Sequence, residues 1–414
     1  MNPTRLLAGP PIAAGAESLA DHRLRVGARP RATRPGELAA SIERSGLLGR
    51  GGAAFPAARK WSAVAGRSAG DAVVLVNGAE GEPLSAKDRT LMNARPHLVL
   101  DGAELAAEAV GADRIVLYVG ADHANSVVAL RRAIGERGRE MVVPIEVVVS
   151  PATYVAGEES AAVQYVNGGE ARPTGVPPRP FERGVDGRPT LVQNVETLAH
   201  LALIMRHGVS WFRSAGTAAE PGSALVTLLG AVRRPGVYEI EPGMPVAGLL
   251  DLAGGNAAPL GALLIGGYFG TWATAAEALL LPFSAAGLAP LGAGPGAGVV
   301  AALPAAACGL AETARVARYL ADSSARQCGP CVFGLDAIAR ELAQTAAGGG
   351  GDLARVRRWL GDVTGRGACR HPDGTVRMIA SALRVFRDEI GLHQRGWCSG
   401  EAAGVLPVSG RVLS

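Results

Sequence analysis

The amino-acid sequence predicts an α/β protein built from a parallel-sheet domain, a small β-grasp unit and a C-terminal helical bundle. Continuous apolar runs alternate with helical patterns between residues 71 and 150, which is typical of a parallel sheet covered on both faces. A strand, an Arg-Pro-Gly turn and a second strand follow Pro221, as in a β-grasp unit. From about Ala305 the apolar spacing becomes helical, which indicates a bundle.

The parallel-sheet domain is predicted to span residues 37–220. Its strands are continuous apolar runs bounded by turn signals, and its helices lie between them. The predicted strands are DAVVLVN (71–77), RIVLYVG (114–120) and VVPIEVVVS (142–150), and the predicted helices are 97–112 and 121–138. Since ligands bind at the carboxyl ends of parallel strands, the polar loops after these strands are the expected site.

The rest of the chain is divided by composition. Residues 1–36 are rich in Arg, Pro and Gly and are predicted to be poorly ordered. The β-grasp domain is predicted at 221–300, and the run from Leu279 to Pro304 is interpreted as loop and buried strand. Four amphipathic helices are predicted within 301–395, and 396–414 is a tail.

Composition excludes several classes of function. The net charge is +4 over 414 residues, which does not predict nucleic-acid binding, because nucleic-acid-binding domains usually carry a concentrated basic stripe. The sequence has no signal-peptide pattern and no uninterrupted apolar run of about 20 residues, so no direct membrane span is expected. Five scattered cysteines favour a reduced, cytoplasmic protein over a secreted disulfide scaffold.

Lysine is unusually rare in this chain. Of 41 basic residues, the only lysines are Lys60 and Lys87. Both fall in the most motif-like blocks, GRGGAAFPAARKW and NGAEGEPLSAKDR. An ammonium is more compact than a guanidinium, so we expect these lysines to be needed beside a ligand rather than placed there by chance.

Four polar blocks fall where ligand-facing loops are expected. The glycine-rich block begins at Gly49, and its backbone N–H groups and following helix suit an anion. The other three blocks are NGAEGEPLSAKDR, YVAGEESAAV and RPTLVQNVETL. Any one acidic pair is commonly a solvated loop, whereas four such blocks on one sheet indicate a ligand site.

In this order, with PHLVLDG and GVDGRP between them, the blocks resemble the NADH-binding flavoprotein subunit of respiratory complex I and the related subunits of soluble hydrogenases and formate dehydrogenases. The resemblance runs from about Ser45 to Ile390. It implies a Rossmann-like FMN domain, a ubiquitin-like domain of SLBB type and a helical bundle carrying one 4Fe–4S cluster. It also implies hydride transfer from NADH to FMN, with single electrons leaving through the cluster.

Carried over position by position, the resemblance places polar groups and glycines around FMN. A flavin needs phosphate donors, polar groups at its pyrimidine edge and a tuned charge near the ring. The residues implied are Gly49, Arg50, Gly51, Gly52, Ala53, Lys60, Asn77, Glu80, Glu82, Asp88, Tyr154, Gly157, Glu158, Glu159, Asn194 and Thr197.

The nicotinamide-nucleotide face departs from the family pattern. An acidic residue is replaced by Ala79, an aromatic by Ala63, and a basic residue and an aromatic around Pro-Pro by Val176 and Arg179. Each missing ring or cation removes about 1 kcal/mol of nucleotide affinity. We therefore expect the FMN-binding groups to be present and several NADH-binding groups to be missing, which puts NAD(H) binding in doubt.

The cysteines also depart from the pattern. Cys328, Cys331 and Cys369 match three cluster ligands, but Ala325 stands where a fourth is expected. Three thiolates can hold a cluster with another fourth ligand, for which Ser324, His371 or a small molecule are candidates. The alternatives are a lost cluster with structural thiols, and dithiol chemistry, because CGPC is also the thioredoxin motif.

The two remaining cysteines are not expected to bind a cluster. Cys308 precedes a predicted helix and matches a position where relatives often carry a cysteine that is not a ligand. Cys398 lies beyond the resemblance and is expected to be a free thiol.

The leading functional hypothesis is an oxidoreductase that passes electrons between FMN and an iron–sulfur or ferredoxin-type partner. Two alternatives remain: a non-catalytic scaffold subunit with a vestigial flavin site, and a genuine NADH dehydrogenase subunit with substituted nucleotide contacts. Association with a membrane complex through other subunits is compatible with all three.

Overall fold

The computed structural model describes residues 4–30, 35–398, 400 and 404–408, which form two compact units. The first unit takes the described residues up to 81, together with 86–225 and 239–242. The second takes 82–85, 226–238 and the described residues from 243 onward. Most of the predicted β-grasp domain and helical bundle thus belong to one unit, and their mutual boundary stays a prediction.

The first unit contains the predicted parallel sheet. Its strands are β1 (Ala72–Gly78), β2 (Ala112–Gly120), β3 (Ile145–Ser150) and β4 (Thr190–Asn194). Their spatial order is β3-β2-β1-β4, and all pairs are parallel. Strand β4 is absent from the predicted strands, because Thr-Leu-Val-Gln-Asn is short and ends in polar residues. It pairs with β1 along its whole length, and that long-range pairing makes it a strand.

Helices cover this sheet. They are α1 (Leu19–Val26), α2 (Pro35–Ser45), α3 (Ala57–Ala65), α4 (Lys87–Ala94), α5 (Pro96–Val110), α6 (Ala124–Arg137), α7 (Glu159–Val166), α8 (Val195–His207) and α9 (Val209–Arg213). Helix α5 is buried at all but one of its residues, as expected for a helix packed on several sides. It packs closely on α8 at Gly102, where a Cβ atom would lie 2.0 Å from the Leu198 carbonyl oxygen.

We expect Gly102→Ala to lower the free energy of unfolding by about 3 kcal/mol, because the added methyl would force α5 and α8 apart. Gly135→Ala in α6 is the matched control, since nothing lies within 4 Å of its added Cβ atom. The control should raise stability by about 0.5–1 kcal/mol through helix propensity. Urea denaturation measures both variants, and equal stability of the two would contradict the close packing.

The prediction of a poorly ordered segment at 1–36 is wrong for its described part. Helix α1 has a capping box at Ser18, and Leu6 is fully buried. The ring of His22 bridges Glu17 at 3.1 Å and Asp101 of α5 at 3.0 Å. Composition could not reveal this, because the order comes from charged groups of a distant helix. Residues 1–3 and 31–34 of the predicted segment lie outside the described residues.

A second, five-stranded mixed sheet has the order β6-β5-β9-β7-β8. Its strands are β5 (Ala224–Gly230), β6 (Gly236–Ile240), β7 (Leu260–Ile265), β8 (Thr271–Thr274) and β9 (Val299–Pro304). Three short helices lie between the strands: α10 (Val246–Leu252), α11 (Ala275–Ala278) and α12 (Ala285–Leu288). The apolar run to Pro304 does contain a buried strand, β9, which pairs parallel with β5 and antiparallel with β7.

The helical end of the second unit has one helix more than predicted. Its helices are α13 (Gly309–Asp322), α14 (Leu335–Ala346), α15 (Leu353–Val363), α16 (His371–Val385) and α17 (Arg387–His393). The predicted last helix is interrupted at Phe386, whose φ of −98° and ψ of 29° depart from helical values. Among the described residues, no helix combines the length and apolar character needed to cross a membrane.

Candidate functional site

Two asparagines mark the carboxyl edge of the parallel sheet. Asn77 at the end of β1 is in register with Asn194 at the end of β4. The Asn77 amide donates to the Gly157 carbonyl oxygen at 2.8 Å, and the Asn194 amide donates to Asp88 Oδ2 at 2.7 Å. Polar residues from three predicted blocks therefore meet where the fold places a ligand site.

Lys87 is buried among acidic residues at this edge. Its ammonium is buried and lies 2.6 Å from Asp88 Oδ1 and 2.9 Å from Glu196 Oε2. Burial lowers the pKa of Lys87, but Asp88, Glu196 and Glu80 together raise it above its ordinary value. The charge of Lys87 thus compensates the acidic residues around it, and its place beside a ligand stays a prediction.

The same cluster raises the pKa of Asp88, which disfavours the charged form of this carboxyl group. Burial raises the pKa of Asp88, the Lys87 ammonium opposes that shift, and the nearby Glu80 and Glu196 carboxylates add to it. One ammonium therefore compensates several buried carboxylates, which makes it indispensable to them.

Glu80 orders the loop after β1. Its carboxylate accepts hydrogen bonds from the backbone N–H groups of Asp88 at 2.8 Å and Arg89 at 3.1 Å, in the first turn of α4. The Glu80 backbone is left-handed, with φ of 42°, which is uncommon for a residue with a side chain. Glu80 thus positions α4 and the acidic cluster.

The glycine-rich block forms an exposed turn in front of β4 and α8. The Arg50 N–H donates to Thr197 Oγ1 at 2.9 Å, and the Arg50 guanidinium donates to the carbonyl oxygens of Pro221 and Ser223. A Cβ atom on Gly51 would lie 3.5 Å from the Asn194 side chain. Gly51, Gly52 and Ala53 are exposed, so their backbones are open to an approaching group.

Lys60 is the lysine that reaches the edge of the site. It lies in the first turn of α3. Its ammonium donates to the Val192 carbonyl oxygen at 3.1 Å and pairs with Glu159, and its side chain is 22% exposed. The Lys60 ammonium is thus partly exposed and already paired, so an anion would have to compete with Glu159 for it.

The third block, YVAGEESAAV, packs against the loop that follows β1. The Gly81 backbone packs on Tyr154, since an added Cβ atom would lie 2.6 Å from the Tyr154 carbonyl oxygen. Glu158 is the N-cap of α7, and its carboxylate accepts from the N–H groups of Ser160 and Ala161, each at 3.0 Å. Glu158 therefore has a structural role, and Glu159 is the acidic residue that stays half-exposed.

Glu82 differs from the other predicted residues. It belongs to the second unit, where its carboxylate accepts from Tyr268 N at 2.8 Å and Leu84 N at 3.1 Å. Both carboxylate oxygens of Glu82 therefore accept hydrogen bonds from backbone N–H groups of the second unit.

One residue that the sequence did not single out is Gln193, between Val192 and Asn194 in β4. Its side-chain oxygen is buried and, within the described residues, has no hydrogen-bond partner. Buried acceptors of this kind are rare and costly. A polar cofactor at this edge could satisfy it, so the residues present fit a flavin with its many donors.

The three cysteines predicted as cluster ligands lie just before α14 and α16. Cys328 precedes a π-helix (Pro330–Gly334), Cys331 lies within it, and Cys369 precedes α16. Burial, then Cys328 and Cys369, raises the pKa of Cys331 to about 12, while a hydrogen bond from Ser324 opposes the shift. Ala325 is buried. The Nε2–H of His371 donates to the Leu320 carbonyl oxygen at 2.7 Å.

Three family models match successive parts of the chain. The Nuo51 FMN-binding domain matches residues 42–203, the SLBB domain matches 225–263, and the NADH-ubiquinone oxidoreductase-F iron-sulfur binding region matches 311–393.

Relatives and solved structures agree with these matches. The second F subunit of the NADH-quinone oxidoreductase of Rhizobium meliloti is 30% identical over 87% of this chain and 89% of its own length. The corresponding F subunit of Mycobacterium tuberculosis is 32% identical over 87% of this chain and 85% of its own. A chain of the NAD+-reducing [NiFe]-hydrogenase in the H2-reduced state superimposes with a TM-score of 0.80 and 29% identity over 91% of this chain. This chain covers 64% of that hydrogenase chain.

An FMN-binding domain followed by an SLBB domain and an iron–sulfur binding region defines a flavoprotein subunit of NADH dehydrogenase type. These features confirm the fold class and the resemblance inferred from the sequence. The chain belongs to the family of NADH-quinone oxidoreductase F subunits, and it is accordingly an oxidoreductase subunit.

Proposed function

We propose that the chain binds FMN at the carboxyl edge of its parallel sheet and passes electrons to an iron–sulfur centre held by Cys328, Cys331 and Cys369. The observation that carries this proposal is the convergence of four sequence blocks, joined by the Asn77–Gly157, Asn194–Asp88 and Arg50–Thr197 hydrogen bonds. FMN, when bound, supplies the change from two-electron to one-electron transfer.

Different residues at this edge would bind different parts of FMN. The exposed backbones of Gly51, Gly52 and Ala53 would donate to the phosphate, with Lys60 adding a positive charge. Asn77 and Asn194 present amides already held in place by their partners. Lys87 and Glu80 would act indirectly by holding Asp88 and α4.

The donor is the second part of the proposal. Ala79 is buried and Val176 is half-exposed, so neither supplies the charge expected for a nucleotide. Arg179 stands where a stacking ring is expected. Its backbone N–H donates to Glu182 Oε2 at 2.8 Å in a local turn. We infer weak binding of NADH and a donor of a different kind, delivered by a redox partner in a larger complex on the cytoplasmic side.

The replaced cysteine favours a second candidate function. With Ala325 in place of a fourth thiolate, the chain could serve as a scaffold subunit that no longer transfers electrons. A chain that folds without taking up flavin or iron would support this alternative.

Anaerobic titration with FMN, followed by assays of ferricyanide reduction, tests the proposal. We expect about one FMN per chain, and NADH-dependent ferricyanide reduction at least roughly tenfold weaker than that of a subunit with the usual stacking rings, for a loss of about 1.4 kcal/mol or more. Photoreduced flavin should still reduce ferricyanide. No FMN uptake would overturn the flavin site, whereas rapid NADH oxidation would overturn only the inference about the donor.

A further inference from the structure

A group of metal-ligating side chains lies in the second unit, outside the proposed cluster site. It consists of Cys308, His393 and Cys398. Within the described part of the chain, it is the one group of three or more such residues whose ligand atoms all lie within 4.8 Å of one another. Cys308 and Cys398 also lie outside the iron–sulfur match at 311–393.

Three separate elements bring these residues together. Cys308 is the N-cap of α13, and its Sγ accepts a hydrogen bond from Ala311 N at 3.3 Å. His393 is the last residue of α17, and its Nε2 lies 3.2 Å from Cys308 Sγ. Cys398 follows in the exposed segment after α17. Cys308 and His393 are buried, at 2% and 4% exposure, so two of the three positions are preorganised.

A carboxylate lies next to Cys308. Glu389 lies one turn before His393 in α17, and its Oε1 accepts from Cys308 Sγ at 2.6 Å. The same carboxylate accepts from the N–H groups of Gly309 at 3.2 Å and Leu310 at 3.0 Å. When the Cys308 thiol gives up its proton to bind a metal, its hydrogen bond to Glu389 is lost, and the carboxylate stays held by these two N–H groups.

We propose that Cys308, His393 and Cys398 bind a zinc ion. Two thiolates and one imidazole form a common zinc ligand set. With Zn–S of about 2.3 Å and Zn–N of about 2.0 Å, tetrahedral ligand atoms stand roughly 3.5–3.8 Å apart. The Cys308 Sγ–His393 Nε2 separation of 3.2 Å is close to this range. The ligand atoms all lie within 4.8 Å of one another, so Cys398 would move inward by at most about 1 Å. Each thiol releases its proton to solvent on binding, no group is oxidised or reduced, and water takes the fourth position.

The zinc ion would fasten the C-terminal segment to α13. The segment already lies against that helix, because a Cβ atom on Gly400 would lie 2.6 Å from the Cys308 nitrogen. Further along, Glu312 of α13 accepts from Val405 N at 2.9 Å and Leu406 N at 3.1 Å. A metal bond to Cys398 would tie that residue to the start of α13.

This assignment revises the sequence-based expectation for both cysteines. The sequence predicts a free thiol at Cys398 and a non-ligand at Cys308, and neither residue stands in a sequence motif of zinc-binding spacing. Burial and the Glu389 carboxylate raise the pKa of the Cys308 thiol, unlike that of a reactive redox cysteine. A disulfide between the two cysteines is the competing outcome.

Metal analysis of the purified full chain tests the proposal. We expect about one zinc per chain in the unaltered protein, and its loss in Cys398→Ser, whose exposed position makes the change tolerable. The matched control is the double variant Cys328→Ser with Cys331→Ser, which disables the proposed iron–sulfur site and should keep its zinc. This control separates failure of the zinc site from failure of the proposed flavoprotein function.

A second measurement, made on the unaltered protein, tests the proposal even if Cys398→Ser folds poorly. Chelator treatment of the unaltered protein should release the zinc and speed proteolytic cleavage between residues 394 and 408, with no such effect in Cys398→Ser. Zinc that is absent from the unaltered protein, retained by Cys398→Ser, or lost by the double variant overturns the proposal. So does a Cys308–Cys398 disulfide found by mass spectrometry of the freshly purified chain.

Discussion

Replacing Lys87 with Met is expected to lower the free energy of unfolding by about 3–5 kcal/mol, because it leaves buried carboxylates without their cation. Asp88 and Glu196 both contact the Lys87 ammonium, and both are buried. Methionine fills a similar volume, so the loss would reflect charge rather than a cavity. Equilibrium denaturation with urea measures the effect.

The other lysine of the chain is the matched control. Lys60→Met removes a partly exposed ammonium, and exposed ion pairs contribute about 0–1 kcal/mol to stability. Lys60→Met should therefore fold normally and bind FMN at least roughly tenfold more weakly, a loss of about 1.4 kcal/mol.

The two lysine variants thus separate structure from binding. If both lost stability equally, Lys60 would be structural. If Lys60→Met kept full FMN affinity, the phosphate would lie elsewhere. A fully stable Lys87→Met protein would show that the acidic residues around it take up protons at no net cost to folding.

The second large effect is expected from Ala325→Cys. Ala325 is buried, and Cys328 and Cys369 both raise the pKa of the buried Cys331. The new thiol would therefore enter the group at the position the family pattern requires. After anaerobic reconstitution we expect about four iron and four sulfide per chain, against about three iron or fewer in the unaltered protein, since a cubane cluster takes four thiolates.

Ala317→Cys is the control for this substitution, because it adds a buried thiol on α13 away from the CGPC turn. It should leave the iron content unchanged. Electron paramagnetic resonance of the reduced protein distinguishes a complete cluster from a three-iron form. Equal iron in the unaltered chain and in Ala325→Cys would mean that another group already serves as the fourth ligand, and iron in neither would support the scaffold alternative.

Local sequence patterns were sufficient to predict several strands and helices of this protein. The apolar runs of β1, β2 and β3 and the helical spacing of α13–α16 depend on neighbours in sequence, so periodicity predicted them. The polar blocks were also predicted, because turns at the ends of parallel strands are where a sheet binds ligands. The matches to the FMN-binding domain and the iron–sulfur region agree with that interpretation.

Only the tertiary structure decided the features that depend on distant partners. Strand β4 exists because it pairs with β1, and the N-terminal segment is ordered because His22 meets Asp101. Lys87 is buried in an ion pair because Glu196 is packed against it. Cys308 and His393 lie 85 residues apart in sequence, yet their ligand atoms are neighbours. Burial and charge pairing between remote residues leave no periodic signal in the chain, which is the physical reason that these features had to be seen in the folded protein.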